Sequence, residues 1–296
     1  MKNFLNYYYD LFPETVYLSE DELFFFAKGY KFYIVRCDNR DIEKNICLYN
    51  NLLLNGFIIN SFFSNKDGKY LTKFKNKNIV LIKVNGIEKD ELMYDDILKL
   101  RKISIGFNLE RINLIEEWTK EIDMLENEFS EYNKEYIIVK DSFDYFVGCA
   151  ENAIQLYKKC SNNSLDNENL SIGHFNCGVL NMKSFLNPMF LSYVDFDYEQ
   201  VNYIKYKFFN NKINYEELNI IISNCKNPGI LFACLLYPSY YLFLLKKLAS
   251  SNNKELIQNE IVNYLNKNNS YIDFLIFFKN KLKNIKDINL IDWINR

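Results

Sequence analysis

The sequence predicts an α+β protein of two lobes, a small β-rich one followed by a larger helical one. Three observations predict this. Over roughly the first 85 residues, short aromatic and β-branched runs alternate with turn residues, the signature of strands. After Gly86 the apolar residues recur at helical spacing instead. The chain holds only 9 Gly and 4 Pro in 296 residues, too few for a turn-dense sandwich or a propeller. The boundaries that follow are 1–85 for the β-rich lobe and 86–296 for the helical one, and no internal repeat or long linker adds a third domain.

Each element has its own justification. "DELFFFAKGYKFYIVRC" (21–37) reads as two strands around a Lys28-Gly29 turn, where Gly supplies a positive φ. In 41–57, Ile42, Ile46, Tyr49, Leu52 and Leu53 form a helical stripe, and Asn55-Gly56 is a stop signal. Strands follow at 58–63, 69–74 and 79–86, separated by turns at Asp67-Gly68 and Asn76 to Asn78. Residues 90–132 read as two helices, the second burying Ile115, Trp118, Ile122 and Leu125 on one face. Residues 144–160 form another helix, and a polar loop follows. The segment 172–198 reads as loop, short strand, a turn at Asn187-Pro188 and strand, and everything from 199 onward as helix.

Composition narrows the function classes. With 49% hydrophobic residues the chain can bury a sizeable core. Thirty-six basic against 38 acidic residues leave a net charge of -2 with no basic stripe, so no nucleic-acid partner is expected. The locally basic "KNKLKNIK" (279–286) is read as a solvated helix face. Seven cysteines without a C-x-x-C pair argue against a zinc or redox motif and for free thiols in a reduced, cytoplasmic compartment. The start, "MKNFLNYYYDLFPET", lacks the apolar stretch and cleavage site of a signal peptide. The most apolar window, 229–245, is short for a membrane span and is interrupted by Pro238, so it is read as a buried helix pair.

One constellation carries chemistry. "SIGHFNCGVLN" (171–181) holds the only histidine, and "VDFDY" (194–198) follows it. Kinase catalytic loops read H-x-D-x-x-x-x-N, with the Asp accepting the hydroxyl proton and the Asn holding a Mg²⁺. Here His174 takes the His position, Asn176 the base position and Asn181 the metal-binding Asn position. Fourteen residues further on, Asp195 takes the place of the second metal-binding residue, with Asp197 as a further candidate. A second register, with His174 at the base position, puts Val179 at the Asn position and is rejected. The bland alternatives are an imidazole hydrogen-bonded to backbone and two acids at a strand end. In the first lobe the "YIVR" run gives Arg36 where a kinase carries Lys, with Glu43 as its candidate helix partner, or simply as a first-turn acid favoured by the helix dipole.

Beyond these motifs, "EEWTKEIDMLE" (116–126), "FVGCAENAIQLY" (146–157) and "GILFACLLYPSYYL" (229–242) resemble the corresponding helices of the bacterial spore-coat kinase-like proteins (CotS and YutH type). Those are relatives of aminoglycoside phosphotransferases and choline kinases. The resemblance is clearest from 110 to 245 and implies the phosphotransferase version of the two-lobed protein-kinase-like fold. It also implies Mg²⁺ and ATP as the cofactors of any active member, a role in the coat or sporulation of a Gram-positive bacterium, and coat or other proteins as partners.

The departures decide the expected function. A neutral amide at Asn176 cannot accept a proton near pH 7. Loss of general-base help costs on the order of 10² to 10⁴ in rate. Arg36 keeps the charge of a lysine but not its geometry. Gly29 alone does not make a glycine-rich loop over phosphates. The expectation is therefore a pseudokinase acting as a coat or sporulation scaffold. An active small-molecule or protein kinase with an unusual loop is the alternative, and an unrelated α+β protein with a chance spacing the third. Mg²⁺-ATP binding and turnover separate the first two, and a two-lobed structure removes the last.

Overall fold

A computed structural model describes residues 1–19, 22–37, 42–86, 91–103, 111–132, 137–161, 170–251 and 253–283. The chain forms two compact units. One comprises Met1–Met93, Ile103–Leu109 and Asn181–Ser192; the other comprises Tyr94–Lys102, Glu110–Leu180 and Tyr193–Arg296. The expected α+β class is present, with a sheet in the first unit and helices dominating the second.

The first unit opens with α1 (Lys2–Tyr9), then β1 (Val16–Ser19), β2 (Glu22–Ala27) and β3 (Tyr30–Arg36). After α2 (Ile42–Leu54) come β4 (Ser61–Phe63), β5 (Thr72–Phe74) and β6 (Lys77–Lys83). The antiparallel sheet has the order β1-β2-β3-β6-β4, and β5 also pairs with β6. Strand alternation sends Phe25, Phe32, Ile34, Ile79 and Leu81 to one face, where Phe4, Leu5 and Tyr9 of α1 cover them. Burying each such side chain contributes roughly 1.5–3 kcal/mol.

Neither α1 nor β1 was anticipated, because eight and four residues are too short to show a period. The Lys28-Gly29 turn stands where expected, with φ of 49° and 77°. The second hairpin turns at Lys75-Asn76, φ 47° and 61°, slightly before the expected position. Both carry two consecutive positive φ values, which match the right-handed twist of the strands they join. The strands expected over 58–63 and 69–74 are shorter, and polar side chains explain it. Asn65 Oδ1 accepts from the Asp67 and Lys69 N–H groups, and Asn60 Oδ1 from the Asn85 N–H, so local turns take the donors that a ladder would use.

The segment Asn181–Ser192 completes this unit. It contains α6 (Met182–Phe185) and a tight turn at Pro188–Phe190. The buried Asn45 amide donates to the carbonyls of Pro188, Met189 and Leu191 at 3.3, 3.3 and 2.7 Å, and the Asn60 N–H donates to Leu186 C=O at 3.0 Å.

The second unit holds α3 (Tyr94–Arg101), α4 (Leu114–Tyr132), α5 (Ile137–Ser161) and the strand pair β7 (Leu170–His174) and β8 (Leu191–Asp195), the latter belonging to it from Tyr193. Then come α7 (Tyr198–Phe209), α8 (Tyr215–Ser223), α9 (Pro228–Leu236), α10 (Ser239–Ser250) and α11 (Lys254–Lys283), the all-helical run expected after 199. On α4 the buried stripe is Leu114, Trp118, Ile122, Leu125 and Phe129, while Ile115 is only half-buried. Trp118 stacks on Tyr237 with ring centroids 4.2 Å apart. At Gly229 on α9 a Cβ would lie 2.3 Å from Cys160 Sγ on α5, so glycine sets how closely these helices approach. The run Pro228–Ser250 is long and apolar enough to cross a membrane, yet 83% of its most apolar window is buried inside the protein. The seven cysteines are free thiols, with Cys37, Cys149 and Cys234 buried. The polar loop after 161 and the basic run 279–286 extend outside the described residues.

Candidate functional site

The histidine loop grows out of β7. Gly173 precedes His174, and a Cβ there would stand 2.7 Å from Val194 Cγ2 and 3.1 Å from Glu199 Oε2. Only glycine lets β7 approach β8 and α7 this closely. His174 is buried, and its Nδ1 lies 2.6 Å from Glu199 Oε1. The His174 N–H donates to Glu199 Oε2 at 2.9 Å, and the Asn202 amide donates to His174 C=O at 2.9 Å and to the same Oε2 at 3.2 Å. Glu199 is fully buried in the first turn of α7. The histidine is thus locked by backbone and side chain together, and it orients the loop rather than facing solvent.

Past His174 the chain turns sharply. Asn176 has φ 58° and is exposed. Asparagine and aspartate both tolerate this left-handed conformation, so backbone geometry does not account for the amide in place of a carboxylate. Gly178 has φ 72°, and a Cβ there would meet the Phe243 ring at 2.8 Å, pinning the loop on α10. Within the second unit, a shallow hollow beside this loop is lined in part by Asn176, Trp118, Tyr237, Phe243, Glu121 and Lys246. The Glu121 carboxylate already accepts from the Tyr237 hydroxyl at 2.5 Å and pairs with Lys246. Behind it the buried Lys205 ammonium donates to Tyr237 C=O at 2.7 Å and Ser239 Oγ at 3.1 Å, and burial pushes its pKa down to about 8.

The two acids of "VDFDY" are both buried and both occupied. Asp195, at the end of β8, accepts a hydrogen bond from the Tyr157 hydroxyl on Oδ2 and pairs through Oδ1 with Arg111 Nη1 at 3.2 Å. Burial raises its pKa, with Tyr157 and Arg111 opposing. Asp197 accepts from the Lys226 and Asn227 N–H groups at 2.9 and 2.8 Å, from Gln200 Nε2 at 2.9 Å and from Arg101 Nη2 at 3.5 Å. Burial raises this carboxyl too, against the pull of Asn227, Arg101 and Lys226. The Arg101 guanidinium and the Lys226 ammonium lie over the Phe196 ring at 3.8 and 4.0 Å. Asp197 therefore ties α7 to the start of α9.

The remaining predicted residues lie in the first unit. Asn181 is the N-cap of α6, in a reciprocal capping box: its Oδ1 accepts from Ser184 N–H at 2.9 Å, and its own N–H donates to Ser184 Oγ at 2.8 Å. Arg36 ends β3 on the α1 side of the sheet, in register with Ile79, with its side chain exposed. Arg36 makes no ion pair among the described residues, so the expected Arg36–Glu43 pair is not formed, and Glu43 is exposed in the first turn of α2. Parity explains the arginine: Phe32, Ile34 and Arg36 alternate onto one face, whereas Tyr33 and Val35 take the other.

A divalent ion of a kinase fold takes oxygen ligands from an Asp and an Asn, together with waters and phosphates. These residues do not fit one, because every predicted ligand already holds protein donors. Among the described residues no group of three or more His, Cys, Asp or Glu side chains could hold a metal ion. Sequence reasoning missed Arg111, Tyr157, Glu199 and Asn202. Tyr157 is the last residue of the "FVGCAENAIQLY" run, inside α5, but nothing in the sequence links it to a residue 38 positions away.

Comparison with solved structures places the architecture. Spectinomycin phosphotransferase APH(9)-Ia, in complex with ADP and spectinomycin, is 13% identical, with a TM-score of 0.54 over 94% of this chain and 92% of its own. An aminoglycoside phosphotransferase from Alicyclobacillus acidocaldarius is 8% identical, with a TM-score of 0.55 over 93% and 94%. The amicoumacin kinase hAmiN, in complex with AMP-PNP, Ca²⁺ and Ami, is 12% identical, with a TM-score of 0.54 over 88% and 91%. The fold is that of the kinase-like phosphotransferases. No family model and no curated protein matches the sequence. At these identities the kinase-like fold is the common ground.

Proposed function

We propose that this chain is a pseudokinase: a kinase-fold protein whose phosphoryl transfer is lost or negligible, and whose role is to bind other proteins. The observation that carries the reading is the state of the loop acids. The base position is the exposed amide Asn176, and the strand-end acid Asp195 is engaged by Tyr157 and Arg111. Arg36, exposed and on the α1 side of the sheet, adds no cation on the α2 side where a kinase lysine would pair with its helix glutamate. The resemblance of 116–126, 146–157 and 229–242 to the spore-coat kinase-like type supports assembly into a coat or a sporulation structure, reached from the cytoplasm, with proteins as partners and no nucleic acid.

The test is nucleotide binding and turnover. Titration with ATP and Mg²⁺ is expected to leave the thermal melt unchanged, and phosphoryl transfer to stay at background. Asn176→Asp restores a proton acceptor at a φ that aspartate tolerates. A missing base alone would give back on the order of 10² or more in rate; almost no recovery is expected, because the other parts remain disabled. ATP turnover by the unmodified protein that Asp195→Ala abolishes would overturn the reading. It would instead establish a working small-molecule or protein kinase with an unusual loop, the alternative supported by the ADP and AMP-PNP complexes of similarly folded proteins.

A further inference from the structure

We propose that Arg111 is the resident counter-cation of Asp195, filling with a guanidinium the electrostatic role that a divalent ion plays in this fold. The inference deepens the pseudokinase reading and rests on its placing of Asp195 as the strand-end acid. Three observations carry it. The Asp195 carboxylate is engaged on both oxygens, Oδ2 by the Tyr157 hydroxyl and Oδ1 by Arg111 Nη1 at 3.2 Å. Tyr157 is 1% exposed and packs edge-on against Trp118, so its hydroxyl is held in place by the core. The neighbouring acid, Asp197, is spent on four donors from α3, α7 and the loop before α9, and supplies no second carboxylate.

A divalent ion bound at Asp195 would have to displace Arg111 or share a carboxylate with it. Either choice is opposed. The displaced arrangement gives up a charge-assisted hydrogen bond to a carboxylate that is 4% exposed. The shared one sets like charges side by side where water screens them little. The Arg111 side chain itself is 28% exposed, so it can be exchanged without opening the core.

Manganese alone, followed by the electron paramagnetic resonance of the free ion, tests this without nucleotide or turnover. The unmodified protein is expected to take up no stoichiometric Mn²⁺. Arg111→Gln keeps a donor near Asp195 but removes the charge. It should raise Mn²⁺ affinity by about tenfold or more, and Asp195→Asn in that background should cancel the gain. A folded Arg111→Gln protein that binds no more Mn²⁺ than its parent would overturn the assignment. The unmodified protein gives a second test that needs no stable Arg111 variant, since a one-to-one Mn²⁺ site that Asp195→Asn removes would overturn it equally. The two proposals fail separately. Mn²⁺ at Asp195 without turnover sinks only the counter-cation, and turnover without a Mn²⁺ site sinks only the pseudokinase.

Discussion

At the scale of single residues, the histidine loop is a buried electrostatic unit. Glu199 accepts from a ring nitrogen, a backbone N–H and an amide, all out of water. Removing one partner of such a group leaves the others desolvated and unmatched. Glu199→Ala should cost about 3–5 kcal/mol in urea unfolding. Lys205 makes a pH-dependent prediction. Its folded pKa lies near 8, below the ordinary 10.5, so between these values the unfolded chain keeps a proton that the folded chain has released. Stability owed to this residue therefore rises with pH across that window. Relative to Lys205→Met, the wild-type urea midpoint should climb from pH 8 to pH 10; a gap that does not change with pH would refute the shift. Tyrosine ionisation is common to both proteins and cancels. The motif found His174 from a single spacing. Its partner Glu199 was hidden, because a carboxylate 25 residues away carries no local signal.

At the scale of elements, legibility followed period and turn chemistry. The long helix α4, α5 from residue 144 onward and the Lys28-Gly29 hairpin could be read because several turns, or a positive φ, leave a clear mark. Three-residue strands such as β4 and β5 could not be delimited, since Asn65 and Asn60 end them with side-chain hydrogen bonds rather than with glycine or proline. Element packing makes its own prediction at the α5–α9 contact. Gly229→Ala places a methyl 2.3 Å from Cys160 Sγ and should destabilise by about 1–3 kcal/mol. Combining it with Cys160→Ala removes the clashing sulfur and should return most of that loss, so the two substitutions will be strongly non-additive in a double-mutant cycle. Additivity would place the strain elsewhere.

At the scale of the whole molecule, the α+β class was legible because the change from strands to helices is abrupt in composition. The spacing of His174, Asn181 and Asp195 pointed to the kinase-like fold with only those few residues. What the sequence hid is that residues 181–192 belong with the sheet-bearing unit, because long-range amide-to-carbonyl bonds such as those of Asn45 have no periodic signature. A fragment of residues 1–103 should therefore lack fixed tertiary structure, seen as weak near-ultraviolet circular dichroism; a rigid, cooperatively melting fragment would contradict this. The same arrangement bears on biosynthesis. The first unit cannot close as it leaves the ribosome, because its last part is made some ninety residues after Met93. At about 5–20 residues per second that is several seconds of waiting. Until the 181–192 segment emerges, the first unit lacks α6 and the turn after it and the Asn45 side chain lacks the carbonyls it will bond, making this the interval in which a chaperone would matter most.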